Sequence, residues 1–205
     1  KMRVDYCADS FRTRGDCTGP DVAPDREFLP QLPISASDGA DAPYFSAAGV
    51  IPALARLEIQ RYAALAALHD IGKKNVPTEI LNKPGTLTAE EFSIVKAHTT
   101  QGCKLLEAIP ELRQCDDFPS ACDVCLHHHE RWDGRGYPDG LTGRHIAPWV
   151  HVVGLADAFD ALTHPRAYTP AQARGMILSG ACGAFDPNML DCFGQHIQAI
   201  AHAVY

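Results

Sequence analysis

The chain has 205 residues, of which 46% are hydrophobic, and this length is enough to bury one substantial core. Its formal net charge of -7 argues against binding to duplex nucleic acid or to an anionic membrane, because such surfaces need clustered Lys and Arg. No stretch approaches the roughly 20 apolar residues that span a bilayer. The cysteines are scattered, which favours free thiols in a reducing cytoplasm over a disulfide scaffold.

The composition and the periodicity of the chain change near Pro52. Residues 1–46 are rich in Gly, Pro, Asp and Ser and have no helical period, so they are predicted to form an irregular segment or the remnant of a preceding domain or linker. After Pro52, apolar residues recur at helical spacing and lead into His69 and Asp70. We therefore predict one domain over residues 47–205, with a buried helix that ends at this His-Asp pair.

Two helices that carry histidine are predicted next. Thr88 and Glu91 have the spacing of a capping box and indicate the start of a helix that includes His98. Pro119 suits the first turn of another helix, which runs into three consecutive histidines at 127–129.

The rest of the chain also lacks any strand-like alternation of useful length. The segment DGRGYPDG at 133–140 is dense in Gly and Pro and is predicted to be an ordered loop. A helix is expected from Pro148, with Asp157 and Asp160 interrupting its apolar run, and helical patterns resume at Pro170. These elements predict an all-α helical bundle.

Histidines and carboxylates within apolar helices need an explanation, because burying an unpaired charge or imidazole is costly. Imidazole and carboxylate ligands together suit Fe, Mn or Zn, and a bridging carboxylate can hold two ions. Neighbouring side chains on a helix diverge by about 100°, so His69 could bind one ion while Asp70 reaches between two. The other candidate ligands are His98, His128, His129 and Asp157. The sequence thus predicts a divalent-metal site.

Five segments of the chain resemble an HD-GYP domain. They are LHDIGKKNVPTEILNKPGTLTAEEF, KAHTTQG, HHHERWDGRGYPDGL, ADAFDALTHPRAY and FDP, in the family's order, over nearly all of residues 62–190. The most specific part is HHE followed by DGxGYP. The resemblance implies a helical bundle of the HD superfamily with an ordered GYP loop.

The resemblance also implies an activity. Members of the family are metal-dependent phosphodiesterases that hydrolyse cyclic di-GMP to pGpG, and some continue to GMP. Two divalent transition-metal ions, most often Fe or Mn, are implied, and a hydroxide shared by two such ions is a nucleophile at neutral pH. The implied ligands are Asp70 as the bridge, His98, His128 and His129 at one ion, and His69 and Asp157 at the other.

Further site residues follow from the same resemblance. Lys73 would contact the scissile phosphate, and Arg166 and Tyr168 match positions that hold the phosphates and bases of the ligand. Independently of the resemblance, Glu130 is expected to orient a ligating histidine by a hydrogen bond, as carboxylates near metal-binding histidines commonly do. The GYP loop, which is credited with partner contacts, notably with GGDEF domains, comprises Gly136, Tyr137 and Pro138. Whether the chain forms a homodimer is left open.

Two departures from the family pattern keep alternatives open. Family members carry a further ligating histidine well upstream, whereas this chain has no histidine before His69, so the site of His69 and Asp157 either lacks that ligand or has another group in its place. Thr169 stands where many members have a basic residue. The alternatives are a degenerate domain that binds nucleotide or a GGDEF partner without turnover, and a phosphodiesterase for cyclic GMP-AMP.

Overall fold

The computed structural model describes residues 56–164 and 167–204, so the segment 1–46 and Arg166 lie outside the described residues. Within the described ranges the regular elements are all helical, which confirms the all-α prediction. The α-helices are α1 Arg56–Ala66, α2 Thr78–Leu81, α3 Ala89–Lys96, α4 His98–Glu107, α5 Pro110–Arg113, α6 Phe118–His127, α7 Pro148–Thr163, α8 Pro170–Leu178 and α9 Pro187–Val204. The 3₁₀ helices are Ile71–Asn75 and Gly143–His145. In this part of the chain, no helix is both long and apolar enough to cross a membrane.

Several helix starts follow the sequence signals. The Thr88 side chain accepts a hydrogen bond from the Glu91 N–H, and the Glu91 carboxylate accepts one from the Thr88 N–H, which is the predicted capping box. Thr169 and Gln172 form the same motif at the start of α8. Helix α7 begins at Pro148, as predicted. Local side-chain chemistry therefore fixes where these helices begin.

Two helix ends differ from the prediction. The single helix expected from Thr88 through His98 is divided, because α3 ends at Lys96 and α4 begins at His98. The His98 ring lies 2.7 Å from the carbonyl oxygen of Val95, a group that a continuous helix would bond to the N–H of residue 99. Helix α1 likewise ends at Ala66, before the His-Asp pair, and tighter hydrogen bonds between residues three apart carry the chain onward.

Among the residues that the structure describes, the buried apolar side chains form three groups. The largest lies among α7, α8, α9 and the segment between α8 and α9, and its members are Leu155, Ala158, Phe159, Leu162, Ala173, Ile177, Cys182, Phe185, Met189 and Phe193. A second group joins α1, α6 and α7. The third joins α4 to α6 and contains Cys103, Cys122 and Cys125 as free thiols. Burial raises the pKa of Cys103 and of Cys125 to about 12, as expected for cysteines that serve core packing.

The 3₁₀ helix Ile71–Asn75 lies directly against the backbone of α4. A Cβ atom added at Gly72 would lie 1.9 Å from the carbonyl oxygen of His98 and 2.5 Å from the amide nitrogen of Gly102. Only glycine leaves room for this contact. The contact sets Asp70 and Lys73, which flank Gly72, against the first turn of α4, where His98 lies.

We predict that Gly72→Ala lowers the free energy of unfolding by about 3 kcal/mol, because its methyl group must push two backbones apart. Gly175→Ala is the matched control, since a Cβ there meets no atom within 4 Å and the residue lies within α8. That control should be neutral or more stable by up to about 1 kcal/mol. Urea unfolding of the two variants makes the comparison. Equal unfolding midpoints would contradict the close-contact account.

Candidate metal centre

Four parts of the fold carry the predicted ligands. The turn after α1 carries His69 and Asp70, the start of α4 carries His98, the end of α6 leads into His128 and His129, and the middle of α7 carries Asp157. The four histidines are buried. The two aspartates are only slightly exposed, with side-chain exposures of 14% for Asp70 and 21% for Asp157.

The structure brings one predicted set of ligands together. Asp70, His98, His128 and His129 each offer an atom that lies within 4.8 Å of the others. The Nε2 atoms of His98 and His128 are 3.3 Å apart. Asp70 Oδ1 lies 3.4 Å from the first of these nitrogens and 3.9 Å from the second. One carboxylate and three imidazoles therefore converge on one point.

Helix ends fix the orientation of three of the imidazoles. Each ring donates through Nδ1 to a carbonyl oxygen in the last turn of α1, α3 or α6, where helical carbonyls lack an intrahelical partner. The bonds are His69 to Ala66 at 2.8 Å, His98 to Val95 at 2.7 Å and His128 to Val124 at 2.9 Å. Because a carbonyl only accepts, Nδ1 carries the proton, and in the neutral ring Nε2 presents its lone pair.

The fourth imidazole is held between aromatic rings. His129 stacks on Tyr137, with ring centroids 4.7 Å apart and an interplanar angle of 26°. The His128 ring also lies close to it, with centroids 4.1 Å apart. The GYP loop, which carries Tyr137, thereby contacts a predicted ligand.

Burial sets the protonation of this histidine group. It lowers the pKa of His98 to about 4 and holds those of His128 and His129 well below the ordinary value. Neutral imidazole is the form that binds a metal ion. At His69 burial also opposes the charged form, but the carboxylates of Asp70 and Asp157 outweigh it and raise the pKa to about 10.

The donor set fits a divalent transition-metal ion. Asp70 Oδ1 and His69 Nε2 are buried atoms without a hydrogen-bond partner, and each such atom costs about 1 to 3 kcal/mol. The lone pairs on Nε2 of His98 and of His128 face each other across 3.3 Å. A cation held by Asp70, His98, His128 and His129 would satisfy Asp70 Oδ1 and both of these lone pairs, and three imidazoles with one carboxylate suit Fe, Mn or Zn.

A second set shares one residue with the first. His69 Nε2 lies 3.3 Å from Asp70 Oδ2 and 3.7 Å from Asp157 Oδ1. Asp70 therefore presents one oxygen to each set, as a bridging carboxylate does. Within the described residues this set has three members, one fewer than the first.

Of the predicted substrate-binding residues, Lys73 lies at the centre. Its Nζ atom is 2.5 Å from Asp70 Oδ2, and its side chain is 30% exposed. Burial opposes ionisation of Asp70, but Lys73 and His69 hold the pKa of this carboxyl well below its usual range. Tyr168 packs against the α7–α9 core, and its N–H donates to the Leu162 carbonyl at 3.1 Å. The substrate-binding roles of Tyr168 and of Arg166, which lies outside the described residues, stay predictions.

The hydrogen bonds of Glu130 differ from the expectation that this residue orients a ligating histidine. Its buried carboxylate accepts hydrogen bonds from the backbone N–H groups of Asp139 and Gly140 at Oε1 and of Leu141 at Oε2. These bonds hold the GYP loop, because three successive backbone N–H groups of the loop all donate to the same carboxylate. The Gly-rich sequence at 134–140, which supplies backbone donors but few acceptor side chains, was the available signal.

Comparisons with known proteins show what this chain is similar to. The HD domain family model matches residues 51–189. A "Cyclic di-GMP phosphodiesterase" of Vibrio cholerae is 41% identical over 134 residues, which is 62% of this chain and 27% of that protein. A "3'3'-cGAMP-specific phosphodiesterase 2" of the same species is 34% identical over 148 residues, or 70% of this chain and 27% of that protein. The chain thus spans about a quarter of the length of each of these two relatives.

A solved structure shares the fold. The protein is Bd1817, an HDG"Y"P protein from Bdellovibrio bacteriovorus, and it matches with a TM-score of 0.54 at 23% sequence identity. The match covers 72% of this chain and 44% of that one. At this identity the likeness concerns the fold alone.

We predict that Mn(II) stabilises the protein against thermal unfolding through Asp70. At a free concentration of 100 times its dissociation constant, the ion should add about 2.7 kcal/mol. Asp70→Asn should lose most of this gain, whereas Asp191→Asn, at an exposed position of α9, should keep it. Melting curves with and without Mn(II) test the prediction. An equal shift in the wild type and in Asp70→Asn would place the ion elsewhere.

Proposed function

Because the chain belongs to the HD domain family, we propose that it is a metal-dependent phosphodiesterase that hydrolyses cyclic di-GMP to pGpG, with GMP as a further product. The proposal is carried by one observation, the position of the Asp70 carboxylate between two groups of ligand atoms. One group has the imidazoles of His98, His128 and His129, and the other has His69 and Asp157. The names of the relatives, both cyclic dinucleotide phosphodiesterases, support this substrate class.

We assign two divalent transition-metal ions, Fe or Mn, to these groups. His98, His128 and His129 would hold one ion with Asp70, and His69 and Asp157 would hold the other with the same carboxylate. When bound, such ions supply positive charge for the phosphoryl oxygens and lower the pKa of water to near neutrality. The first group has four protein ligands and the second has three among the described residues, so the first ion should bind more tightly.

The residues of the chain itself account for substrate placement. A dinucleotide carries phosphate charge, and a chain with a net charge of -7 has to meet it with local cations. Lys73 is such a cation, because its ammonium group lies beside Asp70 and remains partly exposed. We assign to it a contact with the scissile phosphate. The aromatic and helix-end contacts that orient the histidines keep the ligand atoms in place while the substrate enters.

Cyclic GMP-AMP is the second candidate substrate. The relative named for that substrate matches a larger share of this chain than the cyclic di-GMP phosphodiesterase does, although at lower identity. The ligand residues act on the phosphodiester and do not select a base. The side chains that face the bases decide between the two substrates, and a direct comparison of rates separates them.

For partners, we propose that the GYP loop contacts a GGDEF domain. Pro138 is exposed, and Tyr137 is half-buried with its ring 5.9 Å from the Lys96 ammonium. The loop and the neighbouring end of α3 therefore present an apolar residue and a cation side by side. A cytoplasmic location stays a prediction, and whether the chain forms a homodimer stays open.

The first test of the proposed activity is turnover under anaerobic conditions. Protein loaded with Fe(II) or Mn(II) is expected to convert cyclic di-GMP to pGpG, and Asp70→Ala should lower kcat by at least 1,000-fold because both ligand groups lose their shared residue. Asp191→Ala serves as the control. Binding of cyclic di-GMP by loaded wild-type protein without any pGpG would contradict the enzyme proposal and favour an adaptor. Faster turnover of cyclic GMP-AMP would reassign the substrate.

The second test concerns Lys73. Replacement by Met keeps the length of the side chain but removes its charge, so Lys73→Met should lower kcat/KM about 100-fold, the effect of losing one donor to a developing phosphoryl charge. Lys74→Met is the matched control, because Lys74 is the exposed neighbour of Lys73. Steady-state rates with cyclic di-GMP give the result. If the two variants lose activity equally, Lys73 has no special role at the phosphate.

A further inference from the structure

We propose that Glu130 is a positioning residue for the metal centre, and that it acts by folding the loop 133–142 so that Tyr137 holds the His129 ring in place. The inference rests on the proposed function in one respect, that His129 is a metal ligand. Glu130 itself is not assigned to the metal. Its action passes through the loop and through the stacked ring of Tyr137.

The first observation is the number of bonds made by one buried carboxylate. Glu130 is 1% exposed, and its two oxygens accept hydrogen bonds from three consecutive backbone N–H groups. The donor nitrogens of Asp139, Gly140 and Leu141 lie 2.7, 3.0 and 3.0 Å away. Charge-assisted bonds of this kind are about twice as strong as neutral ones. The carboxylate thus fixes the part of the loop that follows Tyr137.

The part of the loop that precedes Tyr137 is fixed by close contact. A Cβ atom added at Gly136 would lie 2.3 Å from Cα of Glu130 and 2.4 Å from the amide nitrogen of Arg131. The Tyr137 N–H donates to the His129 carbonyl at 3.4 Å. Tyr137 therefore lies between two attachments to the same short segment, and that segment also carries the His129 imidazole on which its ring stacks.

A second side chain anchors the same point of the loop. His127 Nε2 lies 2.9 Å from Asp139 Oδ2, while its Nδ1 lies 2.6 Å from Asp123 Oδ1. Asp139 is thus bound through its backbone by Glu130 and through its side chain by His127. Glu130 and His127 lie on either side of His128 and His129, so the segment that carries two predicted ligands also carries both anchors of the loop.

The bonds also explain why a carboxylate is needed at position 130. Both of its oxygens accept, and both are used. In Glu130→Gln the amide oxygen can replace one of them, but the NH₂ group would face a backbone N–H and repel it. The loop should then lose at least one of its hydrogen bonds to residue 130. As a result, the Tyr137 ring would no longer be held in place over His129. A change of this kind around a metal ligand weakens metal affinity by about 10-fold or more.

The experiment measures the Mn(II) affinity of the metal-free 205-residue chain by titration calorimetry, below the melting temperature of every variant. The variants are Glu130→Gln, Tyr137→Ala, the double variant and Tyr137→Phe, with Glu79→Gln at an exposed site as the matched control. Glu130→Gln and Tyr137→Ala should each weaken binding about 10-fold. The double variant should bind Mn(II) with about the same affinity as the single variant that binds it less tightly, because both changes remove the same support of the His129 ring. Tyr137→Phe, which keeps the stacked ring, and the control should bind like the wild type.

The outcomes separate this inference from the proposed function. Absence of Mn(II) and Fe(II) binding to the wild type would overturn both. If the wild type binds Mn(II) and Glu130→Gln binds it with the same affinity, only the role of Glu130 is overturned. The same holds if the losses of affinity in the two single variants multiply in the double variant. If Glu130→Gln does not fold, the comparison of Tyr137→Ala with Tyr137→Phe decides. Equal Mn(II) affinities of Tyr137→Ala and Tyr137→Phe would overturn the inference. A loss of affinity in Tyr137→Ala alone would support it.

Discussion

The candidate metal centre depends on the contact between the 3₁₀ helix Ile71–Asn75 and the backbone of α4. At Gly72 there is no space for a side chain, since a Cβ atom would lie 1.9 Å from the His98 carbonyl oxygen. Asp70 lies two residues before Gly72 in the chain, and Lys73 follows it directly. The contact at Gly72 therefore also determines where these two side chains lie. Asp70 then faces His98 across 3.4 Å. The Asp70 carboxylate and the proposed phosphate-binding cation are therefore placed by backbone packing.

Helix ends contribute the other constraint. His69, His98 and His128 each follow or begin a helix at a break in the helical hydrogen bonds, and each uses Nδ1 to bond a carbonyl of the preceding turn. A continuous helix could not offer these carbonyls as readily, because its own N–H groups already occupy them. The breaks in the helices thus orient the three rings so that their Nε2 atoms face the candidate metal centre. Core packing of α7 against α8 and α9 holds the remaining carboxylate, Asp157, in a long helix.

The sequence predicted the parts of this arrangement that have a local signature. The capping box at Thr88, the start of α7 at Pro148 and the all-α class follow from residue spacing, and the ligand positions followed from the resemblance. The sequence did not predict the break between α3 and α4, because helical periodicity continues across Ala97 and the cause is a ring-to-carbonyl bond at His98. Nor did it predict the role of Glu130, since its partners are backbone N–H groups that carry no residue identity. The ligand roles of the site residues remain predictions, while their convergence is a feature of the structure.

Anomalous X-ray diffraction at the manganese absorption edge, from crystals of the Mn-loaded protein, measures whether Asp70 joins two ion sites of unequal strength. We expect a strong peak among Asp70 and the Nε2 atoms of His98, His128 and His129. A second peak, weaker or of partial occupancy, is expected at Asp70, His69 and Asp157. A single peak away from Asp70, or no ordered manganese between these histidines, would show that Asp70 does not join two ions.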